Sequence, residues 1–108
     1  MSKPKILIVD DSQLNREILS CMLEDKYDIC EAENGKQGVE ILERCHKDFK
    51  LVLLDLIMPV MDGYQVLAVM KAKQWLDKLP VICISSETSG ESIRPVYGLG
   101  ASDYLTRP

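Results

Sequence analysis

Along the chain, runs of consecutive apolar residues take turns with stretches in which apolar residues recur every three or four positions. Lys5-Ile6-Leu7-Ile8-Val9, Leu51-Val52-Leu53-Leu54 and Val81-Ile82-Cys83-Ile84 are apolar almost throughout. Strands of that kind belong inside a sheet that is covered on both faces. Tyr27 to Ala32 and Ser102 to Thr106 instead alternate polar with less polar residues, the pattern of edge strands with one solvated face. Between the strands, Ile18, Leu19, Met22 and Leu23 predict a helix running to about Asp25, capped by Asp11 or Ser12. Asn34-Gly35 marks a turn, and Val39, Ile41, Leu42 and Cys45 then share one face of a helix over Lys36 to Cys45. Asp62-Gly63 opens a third helix with Val66, Leu67 and Met70 toward the sheet. A short fourth helix fits Ser92 to Gly98, because Pro95 has no N–H to give and is tolerated only in a first turn.

Five strands alternating with four helices require a parallel sheet with right-handed crossovers. With the two alternating strands at the edges, the expected architecture is α/β, a flavodoxin-like doubly wound five-stranded sheet of order 2-1-3-4-5. Helix one then lies on one face and the other helices on the opposite face. Chemistry in such sheets sits at the carboxyl ends of the strands, here at the switch point between strands one and three.

The 108 residues suffice for one domain spanning residues 1–108. Composition adds mainly exclusions. A net charge of −4 with scattered basic residues argues against a nucleic-acid surface. No apolar stretch is long enough for a membrane span, and the first residues carry no apolar signal region, so a cytoplasmic location is expected. Cys21, Cys30, Cys45 and Cys83 show no C-x-x-C spacing and read as small core residues in a reducing compartment. His46, near the end of a charged helix, reads as a solvated side chain.

Candidate chemistry lies at one sheet edge. Strand one stops at Asp10 and Asp11, strand three at Asp55, and strand four at Ser85, Ser86 and Glu87. Carboxylates gathered there repel one another unless a cation sits among them. An all-oxygen, partly open site suits Mg²⁺, which takes a few carboxylates, retained waters and a phosphate oxygen. A carboxylate can also attack phosphorus, so Asp55 is the candidate phosphate-accepting nucleophile.

With Ile8-Val9-Asp10-Asp11-Ser12, Leu53-Leu54-Asp55-Leu56-Ile57-Met58-Pro59-Val60-Met61-Asp62-Gly63, Pro80-Val81-Ile82 through Ser85, and Gly100-Ala101-Ser102-Asp103-Tyr104-Leu105-Thr106, the sequence resembles the receiver domain of two-component response regulators over nearly its whole length. The resemblance implies a phosphorylation-controlled switch rather than an enzyme acting on a separate substrate. Asp55 would take a phosphoryl group from a histidine kinase or phosphotransfer protein, with Mg²⁺ held by Asp10, Asp11, Asp55 and the backbone carbonyl of Ile57. Ser85 resembles the family's hydroxyl switch residue and Tyr104 its aromatic partner. Ile57 and Glu87, two residues beyond Asp55 and Ser85, would flank the path of the hydrolytic water.

The chain departs from the family pattern in two places. Arg107 stands where the pattern has Lys before the final Pro, and a planar guanidinium is not interchangeable with a compact ammonium. The chain also stops at Pro108, before the fifth helix of the family, so the expectation is a truncated receiver domain. Either self-association through a half-covered sheet face or a longer chain with an effector domain beyond Pro108 would follow. One rival reading is a phospho-independent binding module that has lost the chemistry through Arg107. A second is an aspartyl-phosphate hydrolase, but the adjacent Asp10-Asp11 lack the D-x-D spacing of haloacid-dehalogenase-like hydrolases.

Overall fold

Strand β1 (Lys5–Val9), helix α1 (Gln13–Leu23), strand β2 (Asp28–Ala32), helix α2 (Gly35–Cys45), strand β3 (Phe49–Asp55), helix α3 (Gly63–Ala72), strand β4 (Val81–Ser85) and strand β5 (Asp103–Thr106) follow one another along the chain. The computed structural model describes residues 3–56, 58, 60–85 and 100–106. The sheet is parallel throughout, in the order β2-β1-β3-β4-β5. The helix expected over Ser92 to Gly98 lies outside the described residues.

Helices α1, α2 and α3 each start at a side-chain cap that satisfies an otherwise orphaned backbone N–H. Ser12 Oγ accepts from Asn15 N at 3.3 Å, and Asn34 Oδ1 from Gln37 N at 2.8 Å. Asp62 makes a reciprocal capping box: its carboxylate accepts from Gln65 N at 2.9 Å, and Gln65 Oε1 accepts from Asp62 N at 3.0 Å. Of the two caps expected for α1, Ser12 is the one used. The helix stops at Leu23, two residues earlier than the periodicity suggests. The amides of Lys26 and Tyr27 both donate to the Leu23 carbonyl, forming a turn that also delays β2 to Asp28.

Alternate residues of the central strands serve two separate cores. Leu7, Val9, Val52, Leu54, Val81 and Cys83 pack under α2 and α3, whose Val39, Leu42, Val66, Leu67 and Met70 complete that cluster. Ile6, Ile8, Leu53 and Ile84 point the other way, where Leu19 and Leu23 of α1 meet them. Helix α1 therefore packs with one edge only. Leu14, Ile18 and Met22 form a solvent-exposed stripe, with Met22 72% exposed, although Ile18 and Met22 belong to the face expected to meet the sheet.

Two smaller expectations are corrected. His46 is not a solvated side chain: it begins a 3-10 turn (His46–Asp48), stacks on Trp75 at 5.1 Å between ring centroids, and its Nδ1 lies 3.1 Å from the Leu42 carbonyl. Cys21 is exposed on α1 rather than a core residue, whereas Cys83 is buried and Cys30 and Cys45 are half-buried. Burial pushes the Cys83 thiol up to about 12 and also raises that of Cys30.

Candidate functional site

Register brings the predicted acids together. Val9 pairs with Leu54, so Asp10 emerges beside Asp55, the last residue of β3, and Asp55 in turn pairs with Ile84 of β4. Asp10 continues the alternation of Ile6 and Ile8, and Asp55 that of Leu51 and Leu53, so both leave the sheet on the α1 side. Carboxylate oxygens of Asp10, Asp11 and Asp55 lie within 4.8 Å of one another. Asp10 and Asp55 are each only 2% exposed, while Asp11 opens to solvent. Two desolvated carboxylates and a third at the mouth form an all-oxygen set suited to a hard divalent cation with open positions. The arrangement fits Mg²⁺.

The start of α3 packs directly on the end of β3. Gly63 N donates to the Leu56 carbonyl at 3.0 Å, and a Cβ at Gly63 would stand 2.5 Å from the Asp55 carbonyl oxygen. Only glycine permits that approach, and it fixes the backbone on which the Asp55 carboxylate is carried.

Comparison with known proteins agrees with this geometry. The profile of the response regulator receiver domain family matches residues 6–108. This chain is a member of that family. A Vibrio cholerae protein named as a probable cyclic di-GMP phosphodiesterase is 39% identical over 108 residues, all of this chain but 24% of that protein's length. A two-component response regulator of Oryza sativa subsp. indica is 34% identical over 98% of this chain and 81% of its own length. The solved structure of the chemotaxis response regulator CheY4 of Vibrio cholerae superposes with a TM-score of 0.90 at 27% identity, covering 99% of this chain and 88% of that one.

Other predicted residues of the receiver domain are placed in part. Ser85 ends β4, the strand beside β3, one step beyond the partner of Asp55, whereas Tyr104 lies opposite Cys83 in β5, one strand further out. Ile57, Glu87 and Arg107 lie outside the described residues. A cavity of about 640 Å³ lined by His46, Phe49, Lys50, Trp75 and Leu79 among others contains none of the three acids. It lies by the amino end of β3, at the opposite end of the strand from Asp55.

Arg16 is a residue of the site region that the sequence reading passed over. It is the buried residue of α1, 7% exposed. Its Nη1 donates to the Asp10 carbonyl at 2.7 Å and its Nε to Glu31 Oε1 at 3.1 Å. The signal was in the spacing: Arg16, Leu19 and Leu23 stand at i, i+3 and i+7, so the helical period that turns Leu19 and Leu23 inward turns Arg16 inward too. A charge on an inner face needs partners, and Asp10 and Glu31 supply them.

Proposed function

We propose that this receiver domain is a Mg²⁺-dependent signalling switch that accepts a phosphoryl group on Asp55. The convergence of Asp10, Asp11 and Asp55 at the carboxyl ends of β1 and β3 is the observation that carries the reading. A carboxylate oxygen of Asp55 forms the new bond to phosphorus as the bond from phosphorus to the donor breaks. With a histidine kinase or phosphotransfer protein, the leaving group is the imidazole nitrogen of a phosphohistidine. Asp10, Asp11 and Asp55, with the Ile57 carbonyl, are the proposed metal ligands. Bound Mg²⁺ supplies charge neutralisation for the transferring phosphoryl group.

Ser85 is the proposed hydroxyl partner of the phosphoryl oxygens, Tyr104 the aromatic residue that follows it, and Arg107 the cation that pairs with the phosphate. Phosphorylation then shifts a two-state equilibrium of the β4–β5 end of the sheet, and a separate or attached effector reads the result. The domain works on no separate substrate beyond its donor; its own reactions are transfer to Asp55 and hydrolysis from it. Among the described residues no helix is long and apolar enough to cross a membrane, and the proposed setting is the cytoplasm.

The test is intact mass after incubation with Mg²⁺ and acetyl phosphate. One added phosphoryl group, lost in acid or base and prevented by a chelator, is expected. No addition under any divalent cation would favour the phospho-independent binding module, for which the Arg107 replacement is the specific argument.

A further inference from the structure

We propose that Arg16 is a positioning residue for the divalent-cation site, holding the Asp10-Asp11 peptide so that both carboxylates face Asp55; this rests on the reading of that acidic cluster as the metal site. Three hydrogen bonds among those that hold Asp10 bear on its orientation. Its N–H donates to the Ala32 carbonyl at 3.1 Å, its own carbonyl accepts from Arg16 Nη1 at 2.7 Å, and its Oδ1 accepts from Ser12 N at 2.9 Å. The first bond sets where β1 ends and the third sets the carboxylate. The second sets the plane of the peptide that joins Asp10 to Asp11.

That plane decides where Asp11 goes, because the peptide is rigid and Asp11 is the exposed member of the cluster. Burial makes the bond strong, since a guanidinium to carbonyl contact in a desolvated place is charge-assisted and unscreened. Glu31 then orients the guanidinium itself. It sits on β2 opposite Ile8, and its Oε1 takes the Nε–H, so the planar fork serves Glu31 and Asp10 at once. A cation beside a cation site would on charge alone weaken metal binding. The Glu31 carboxylate at 3.1 Å offsets that charge and leaves orientation as the dominant contribution.

Outer groups that orient metal ligands commonly contribute a factor of ten or more to affinity. The test is Mn²⁺ binding followed by the electron paramagnetic resonance signal of the free ion, for the parent chain, Arg16→Gln, Arg16→Lys and Glu31→Gln. Phe49→Leu, at the far end of β3, serves as a destabilised control, and thermal unfolding is measured for each. Arg16→Gln is expected to bind about 10-fold more weakly. Arg16→Lys keeps the charge but cannot serve both partners and is expected to lose about 3-fold, as is Glu31→Gln. Phe49→Leu should lose stability and no affinity.

Arg16→Gln binding Mn²⁺ as tightly as the parent, or more tightly, would overturn the proposal and leave Arg16 a packing residue or a repulsive charge. If Arg16→Gln does not fold, unchanged affinity in both Arg16→Lys and Glu31→Gln overturns it equally. A parent chain that binds no Mn²⁺, or binds it undiminished as Asp11→Asn, would instead overturn the metal-site reading and this inference with it.

Discussion

Replacing Gly63 by alanine tests whether the end of β3 is braced by backbone contact. The added Cβ would lie 2.5 Å from the Asp55 carbonyl oxygen and 2.7 Å from Leu56 Cα, both main-chain atoms, whereas ordinary contact begins near 3.4 Å. Relief therefore requires the start of α3 and the end of β3 to part by roughly 1 Å. That movement strains the 3.0 Å bond from Gly63 N to the Leu56 carbonyl. Overpacking of this kind costs about 1–3 kcal/mol. Because the displaced carbonyl belongs to Asp55, a misplacement of about 1 Å should also slow phosphorylation by acetyl phosphate roughly 100-fold. Gly38→Ala is the control: the three atoms nearest its Cβ are side-chain atoms of Val9, the closest at 3.0 Å, and the phosphorylation rate should stay within about 3-fold of the parent. Urea denaturation reads the first quantity and initial rates by phosphate-affinity electrophoresis the second. Gly63→Ala with parental stability and parental rate would refute the bracing role.

Val60, β-branched, 75% exposed and at φ 71°, occupies a left-handed conformation that disfavours it, so Val60→Gly should stabilise the fold by about 1 kcal/mol in urea denaturation; no gain would refute strain at that position. Cys83 should resist a thiol reagent at pH 8 until the chain is unfolded, while exposed Cys21 reacts at once; equal reactivity in the native state would contradict the described burial. The sign of its pH effect follows from a thiol raised from 9.0 to about 12: below pH 9 both states keep the proton, and between 9 and 12 the unfolded chain releases it first. Stability should thus fall as pH rises through that window, an effect that Cys83→Ala removes. Arg107→Lys should speed phosphorylation by about 10-fold, or about 1.4 kcal/mol of barrier, at equal Mg²⁺ and donor, because a guanidinium presents its charge less compactly; equal rates would show that either cation serves.

The sheet was legible because the apolar runs at β1, β3 and β4 report burial directly, and burial fixes which strands lie inside; β2 takes the edge as expected, but not with one solvated face, since the adjacent Ile29 and Cys30 are half-buried against opposite cores. The acids were legible because each interrupts an apolar run abruptly. Other features depend on neighbours distant in sequence. His46 reads as polar and solvated until Trp75, 29 positions on, arrives to stack on it. The exposed stripe of α1 shares its period with a buried face, and only the packing of α1 by one edge separates Ile18 and Met22 from Leu19 and Leu23. Arg16 was missed for the opposite reason: its chemistry suggests surface, while its phase on the helix assigns it to the interior. Gly63 read as an ordinary turn, because the closeness of the Asp55 carbonyl is a property of two elements brought together.

The central claim, that Asp55 is the phosphate-accepting residue, is tested most directly by borohydride reduction of the phosphorylated protein followed by peptide mapping. Hydride reduces the acyl phosphate to the alcohol and releases inorganic phosphate, leaving homoserine at the acceptor position. After incubation with acetyl phosphate and Mg²⁺, homoserine is expected at position 55 alone, and its formation should require the divalent cation. Homoserine at Asp10, Asp11 or another acid, or undiminished phosphoryl incorporation in Asp55→Asn, would contradict the account.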